Sequence, residues 1–294
     1  ASASRATGER PDVSAPILVL GADGMLGRAW MAECERAGLD ARGLVYPAVD
    51  LEKPESLEAG LAAPVRAVVN CAAYTDVDGA EEEEALATRI NGDAVAHLVA
   101  RCDALGVPLV HYSTDYVFDG EARDAPYPVD HPTDPINAYG RSKRVGEDHL
   151  RASPGPHLLI RTSWLYAPWG KNFVRTIARL ARERDTLRVV NDQRGRPSSA
   201  EQLARVSLAL LERGATGVFH GTDAGECTWF DFATAIAAAV NPACRVEPCS
   251  SEEFPRPAKR PTYSVLDVAA TEAAVGPLTP WREALAEVLR RLEH

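Results

Sequence analysis

With 294 residues, 46% of them hydrophobic and 25% charged, the chain has the make-up of a globular enzyme, with core enough for one large domain or two modest ones. Its net charge of −10 provides no general basic field, so neither nucleic acid nor an anionic membrane is an expected partner. No apolar stretch approaches the roughly 20 residues that span a bilayer, and the six cysteines show no CxxC or zinc-type spacing, which reads as reduced thiols in a cytoplasmic protein.

The segment Ala1–Ser14 is polar, lacks the apolar centre of a signal peptide and reads as a loose tail. From Ile17 onward apolar runs alternate with helical patterns, the signature of a doubly wound parallel α/β sheet. Ile17-Leu18-Val19-Leu20 reads as a first buried strand, followed by a Gly-rich turn and a helix to about Gly38. Further strands are expected near 43–46, 67–70, 109–112, 158–161 and 187–190, with a long helix inside 81–105 and another over 139–150. Beyond about residue 191 the pattern loosens into a strand at 217–220, a helix over 229–240, a Pro-rich stretch from Pro242 to Pro261 and a last helix from Trp281. This organisation predicts a Rossmann-type dinucleotide-binding domain over 15–165, also receiving the strand near 187–191. A smaller α/β lobe over 166–294 is expected to bind substrate, and the final Leu292-Glu293-His294 reads as the possible start of an expression tag.

Three motifs carry chemistry. Gly21-Ala22-Asp23-Gly24-Met25-Leu26-Gly27 follows the first strand and opens a helix; its glycines allow a tight turn and close approach of a pyrophosphate to backbone N–H groups. His111-Tyr112-Ser113-Thr114-Asp115-Tyr116 runs off the carboxyl end of a strand, where open α/β sheets hold their sites and where a hydroxyl can hydrogen-bond a carbonyl that gains negative charge. Tyr139 and Lys143 stand four residues apart in a helical pattern, so phenol and ammonium share a face. The cation is expected to favour the phenolate and bring a group that ordinarily titrates near about 10 into use as an acid–base.

The glycine motif, Asn70-Cys71-Ala72-Ala73-Tyr74, Ser113-Thr114 and Tyr-x3-Lys together resemble the extended short-chain dehydrogenase pattern. The run Ser113-Thr114-Asp115-Tyr116-Val117-Phe118-Asp119-Gly120 is similar to the dTDP-4-dehydrorhamnose reductase family, as are Arg161-Thr162-Ser163-Trp164, Asn191-Asp192-Gln193 and Arg256-Pro257-Ala258-Lys259-Arg260-Pro261. The resemblance implies NAD(P)H-dependent reduction of the 4-keto group of a nucleotide-linked deoxysugar. It implies that Thr114 orients the carbonyl, Tyr139 protonates its oxygen, and Lys143 tunes Tyr139 and holds the nicotinamide ribose. Asp50, Leu51, Ala72, Ala73, Tyr74 and Tyr112, with the glycine loop, line the cofactor by the same carry-over, and Asp115 and Trp164 contact the sugar nucleotide. Simple core packing is the plainer alternative for Trp164.

Two departures qualify the resemblance. The second strand ends in Tyr46-Pro47 without the carboxylate that selects NAD; Asp50 follows nearer the expected adenine, and Arg28 is a candidate partner for a 2′-phosphate, so the reading leans toward NADPH over NADH. Some members of the family form metal-bridged dimers through acidic side chains from three places; here Ala29 and Arg291 stand at two of them and only Glu201 matches, so no bridging magnesium is expected, and the chain is expected as a monomer or a dimer without metal. A sugar dehydratase or epimerase shares the Tyr-Lys pair, but a dehydratase carries an acid where this chain has Tyr116. A non-catalytic relative that keeps only cofactor binding is a further alternative. The sequence leaves open which keto-deoxysugar is the substrate.

Overall fold

The computed structural model describes residues 15–62, 64–121 and 124–292; the expected tail Ala1–Ser14 and the terminal Glu293 and His294 lie outside them. Its frame is a six-stranded parallel sheet. Five strands are β1 (Ile17–Leu20), β2 (Ala41–Leu44), β3 (Ala67–Asn70), β4 (Leu109–Thr114) and β5 (His157–Thr162), and the sixth is Gly217–His220. Their spatial order is β2-β1-β3-β4-β5 and then Gly217–His220. The order reverses between β2 and β3 on either side of β1, and the crevice at such a reversal is where doubly wound sheets bind ligands.

Continuous apolar runs form these strands because helices cover both faces of the sheet. Every residue of β1 is fully buried. On one face the Met25–Arg36 helix packs with Ala200–Glu212 over Val19, Val69 and Ile160; on the other, Leu57, Leu98 and Leu150 from three helices close over Leu18, Val68 and Leu159. A separate cluster gathers Tyr166, Ile177, Phe232, Ile236, Trp281 and Leu285 from the later part of the chain.

The strand expected near 187–191 is present as Thr186–Val190, but it does not join the central sheet. It pairs in parallel with Arg245–Cys249 in a two-stranded sheet, and Gly217–His220 takes the edge beside β5 instead. β2 spans Ala41–Leu44, earlier than the expected 43–46, because Gly21 and Ala22 both donate to the Leu44 carbonyl and end the ladder there. The long helix expected inside 81–105 is broken into Gly79–Glu82, Glu84–Thr88, a π-helical turn Arg89–Asp93 and Ala94–Leu105. That π turn presents Asn91, whose side chain bonds both the N–H and the carbonyl of Tyr74 and the Ser142 hydroxyl, joining three segments that converge on one cavity. None of the six cysteines is in a disulfide. No helix of the described residues is long and apolar enough to cross a membrane.

Candidate active site

A cavity of about 700 Å³ opens at the carboxyl ends of β1, β3 and β4. Its floor is the turn after β1. Gly21 adopts φ +70°, and a β-carbon there would stand 2.9 Å from the Ala72 nitrogen, so only glycine lets the turn and the β3 loop close on each other. Gly24, extended at φ −72° and ψ 173°, precedes the Met25–Arg36 helix without a side-chain cap, which leaves that helix's first N–H groups for an anionic ligand. The opposite wall is set by Asn70, which accepts from Ala72 N–H (3.1 Å) and contacts His111 Nδ1 (3.1 Å). Burial, then the Lys143 charge, pushes His111 well below its ordinary range and keeps it neutral.

The reacting end is built by β4 and the Ala138–Ala152 helix. Thr114 caps the short turn Asp115–Val117, accepting from Tyr116 N–H, and its hydroxyl donates to Asp115 (3.0 Å). Asn137 caps the helix by accepting from Gly140 N–H (2.8 Å), and its amide also donates to the Lys259 carbonyl. Tyr139, Lys143 and Glu147 fall on one helix face, at steps of four. Burial lowers Lys143 to about 8, with Glu147 acting in the opposite sense. Glu147 is itself fully buried; burial is the largest single effect and pushes its carboxyl up, but the two bonds of 2.9 Å from the buried Arg161, the Arg161 charge and the Arg151 charge act together to hold it below its ordinary range.

Tyr139 behaves differently from the expectation. Burial first, then the Asp115 charge, raise its phenol above the ordinary value, against a hydrogen bond with Thr114. Loss of hydration for the phenolate and the nearby Asp115 charge both disfavour ionisation, so the phenol is held neutral. Asp115, buried beneath it, is pushed up to about 7 by desolvation, against hydrogen bonds with Ser264 and Thr114.

The cavity brings together Gly21, Gly24, Met25, Leu26, Asp50, Leu51, Ala72, Ala73, Tyr112, Thr114, Asp115, Tyr139, Lys143 and Trp164. Two expected residues stand back from it. Gly27 lies behind the loop, and Tyr74 turns its hydroxyl toward Glu83 (3.2 Å). Arg28 does not line the cavity either; its guanidinium lies over the Trp169 ring, 5.3 Å from the centroid. Trp229 lines the cavity although sequence reasoning left it as an ordinary helix residue. It stacks on Trp164 with centroids 3.6 Å apart and planes 13° from parallel. Trp164 has φ +47°, rare for a bulky residue, and its ring lies so close to Gly195 that a β-carbon there would meet it at 2.8 Å.

These groups suit a dinucleotide: a glycine turn, an uncapped helix N-terminus and a lysine beside a tyrosine at the far end. The positions at which a bridging magnesium would need acids do not suit one. Ala29 is buried in the core, and the Glu201 carboxylate is taken by Arg291 at 2.5 Å.

The family model described as the RmlD substrate binding domain matches residues 15–294. The dTDP-4-dehydrorhamnose reductase of Streptomyces griseus is 42% identical over 280 residues, covering 92% of this chain and 91% of its own length. The crystal structure of the enzyme of that name from Clostridium acetobutylicum superposes with a TM-score of 0.91 at 38% identity, over 95% of this chain and 100% of that one. The one from Bacillus anthracis, in complex with NADP, gives 0.90 at 33%, over 94% and 99%. A glycine loop at the sheet's reversal point, a Thr-Tyr-Lys group at its carboxyl edge and similarity along nearly the whole length lead to one conclusion: the chain belongs to the dTDP-4-dehydrorhamnose reductase family of Rossmann-type extended short-chain dehydrogenases.

Proposed function

We propose that this protein reduces the 4-keto group of a nucleotide-linked 6-deoxyhexose, converting dTDP-4-dehydro-L-rhamnose to dTDP-L-rhamnose with NADPH or NADH. The observation that carries the reading is the meeting of Thr114, Tyr139 and Lys143 in one cavity with the Gly21–Leu26 loop. Gly21, Gly24, Ala72 and Lys143 would hold the dinucleotide, which when bound would supply the hydride to the carbonyl carbon. Thr114 turns its hydroxyl proton from Asp115 to the carbonyl oxygen as negative charge develops there. Tyr139, neutral because burial disfavours its phenolate, gives that oxygen a proton. The charged form of Lys143 holds the ribose hydroxyls and offsets the phenolate left on Tyr139. Asp115 and Trp164 orient the sugar nucleotide. Tyr116, where a dehydratase needs an acid, argues against elimination of water. The protein acts in the cytoplasm, as a monomer or a dimer without a metal bridge.

The test supplies dTDP-4-keto-6-deoxyglucose, with and without a 3,5-epimerase, and follows NADH and NADPH oxidation while NMR identifies the product. dTDP-L-rhamnose formed only with the epimerase is the expected result. A reduced sugar formed equally well without it assigns a different deoxysugar, and no oxidation in either arm overturns the reading.

A further inference from the structure

The segment following Tyr166 crosses to the start of the cofactor helix and grips its first residue, Met25. The Trp169 indole N–H donates to the Met25 carbonyl (3.1 Å). Gly170 packs so near that a β-carbon would come 2.8 Å from Met25 Cγ. The Asn172 amide donates to the carbonyls of Ala167 (2.8 Å) and Trp169 (3.1 Å), which fixes the turn, and lies 3.6 Å from Met25 Sδ. Met25 lines the cavity, whereas Trp169 does not.

Trp169 is fixed in turn by two cations. The guanidinium carbons of Arg28 and Arg291 each lie 5.3 Å from its ring centroid. Arg28 belongs to the cofactor helix, whereas Arg291 follows the last helix, Trp281–Arg290, and is ion-paired with Glu201 of Ala200–Glu212 at 2.5 Å.

We propose that Trp169 is a positioning residue for the cofactor, and that the Arg291–Glu201 pair is the anchor that holds it. The indole fixes the Met25 end of the glycine loop without touching the dinucleotide, and a guanidinium supplied by the chain neutralises Glu201 where the acids of a metal site are missing. The contacts join the last helix to the loop: Glu201 orders Arg291, Arg291 and Arg28 order the ring, and the ring's N–H orders Met25. The proposal rests on the cavity being a dinucleotide site.

The test is direct binding of NADH and NADPH, by calorimetry and by nucleotide fluorescence, to the native chain, Trp169→Phe, Trp169→Ala, Arg291→Ala and Arg291→Lys. Cation–π contacts and exposed ion pairs are individually modest, so Trp169→Ala is expected to raise Kd about tenfold and Arg291→Ala about threefold, with Arg291→Lys closer to native. The KM for the sugar nucleotide is expected to stay unchanged, which a general loss of structure would not allow, and EDTA or added magnesium is expected to leave native Kd unmoved. Trp169→Phe keeps an aromatic ring for the cations while removing the N–H donor along with the second ring of the indole, so it serves if the alanine variant fails to fold; native Kd in that variant overturns the bond to Met25 as a positioning contact. Native Kd in Arg291→Ala overturns the anchor. Failure of the native chain itself to bind either dinucleotide overturns the site reading and, with it, this proposal.

Discussion

Gly140 lies against the Tyr116 carbonyl so closely that a β-carbon at 140 would sit 2.1 Å from that oxygen. This contact seats the Ala138–Ala152 helix on the turn after β4, and so sets the distance between Tyr139, its immediate neighbour, and Thr114. Gly140→Ala must push helix and turn apart. Displacements of about 1 Å at a reacting centre cost up to roughly 100-fold in rate, so kcat is expected to fall at least about tenfold, with a lower Tm. Steady-state kinetics and thermal unfolding check this; unchanged kcat would show that the seat is not what spaces the two hydroxyls.

Tyr139→Phe removes the proton donor and little else. A fall in kcat of roughly 100-fold or more is expected, the usual contribution of general acid catalysis, while cofactor Kd measured by fluorescence stays near native. Near-normal turnover would remove Tyr139 from the proposed chemistry.

Burial gives Lys143 a folded-state value of about 8. Its charged form is therefore present below about 8 and lost above it, and cofactor affinity is expected to weaken as pH rises through that point. Stability moves the other way: the unfolded chain keeps this proton up to the ordinary lysine value, so unfolding becomes harder as pH rises from about 8 toward about 10.4. Lys143→Met is expected to lower kcat and cofactor affinity and to abolish this inflection in a Kd titration. An inflection that survives belongs to another group.

Asp223 is buried, accepts from Tyr166 (2.8 Å) and from Ser199 N–H, and is pushed up to about 7 by desolvation against those bonds. The folded state holds a proton that the unfolded state releases above about 4, so stability declines between about pH 4 and 7 and levels above it. Asp223→Asn, which keeps an acceptor for Ser199, is expected to flatten that part of the Tm–pH curve. A curve of native shape would locate the proton elsewhere, with Asp115 the next candidate.

Trp229→Ala takes away the ring on which Trp164 stacks and leaves a tryptophan at φ +47° without its support. The KM for the sugar nucleotide is expected to rise several-fold, with cofactor Kd unchanged. If cofactor binding suffers equally, the pair does not belong to the sugar end.

The central strands and the Tyr139–Lys143 face were legible in the sequence because each rests on local spacing: apolar runs between turns, glycines after a strand, a step of four on a helix. The π turn at Arg89–Asp93 was not, since apolar periodicity passes through it unbroken and Asn91 acquires its role only by bonding to Tyr74 and Ser142. Trp229 was hidden for a similar reason; in the chain it is the first residue of an apolar helix, and only folding brings it to Trp164. The runs at 187–190 and 217–220 are alike in length and apolar character, and nothing local tells which of them reaches β5. Tyr139 teaches about magnitudes: the lysine four residues on was visible, the depth of burial and the Asp115 charge that raise the phenol were not.

That Gly217–His220 closes the sheet beside β5 has a consequence for how the chain is made. During synthesis, the first five strands leave the ribosome more than fifty residues before their last neighbour, as the positions Thr162 and Gly217 require. Until then β5 presents an unpaired edge of backbone donors and acceptors, which is an invitation to pair with another nascent chain. A fragment cut after the fifth strand would therefore inherit that open edge permanently, and aggregation rather than an autonomous nucleotide-binding domain is the fate it should meet.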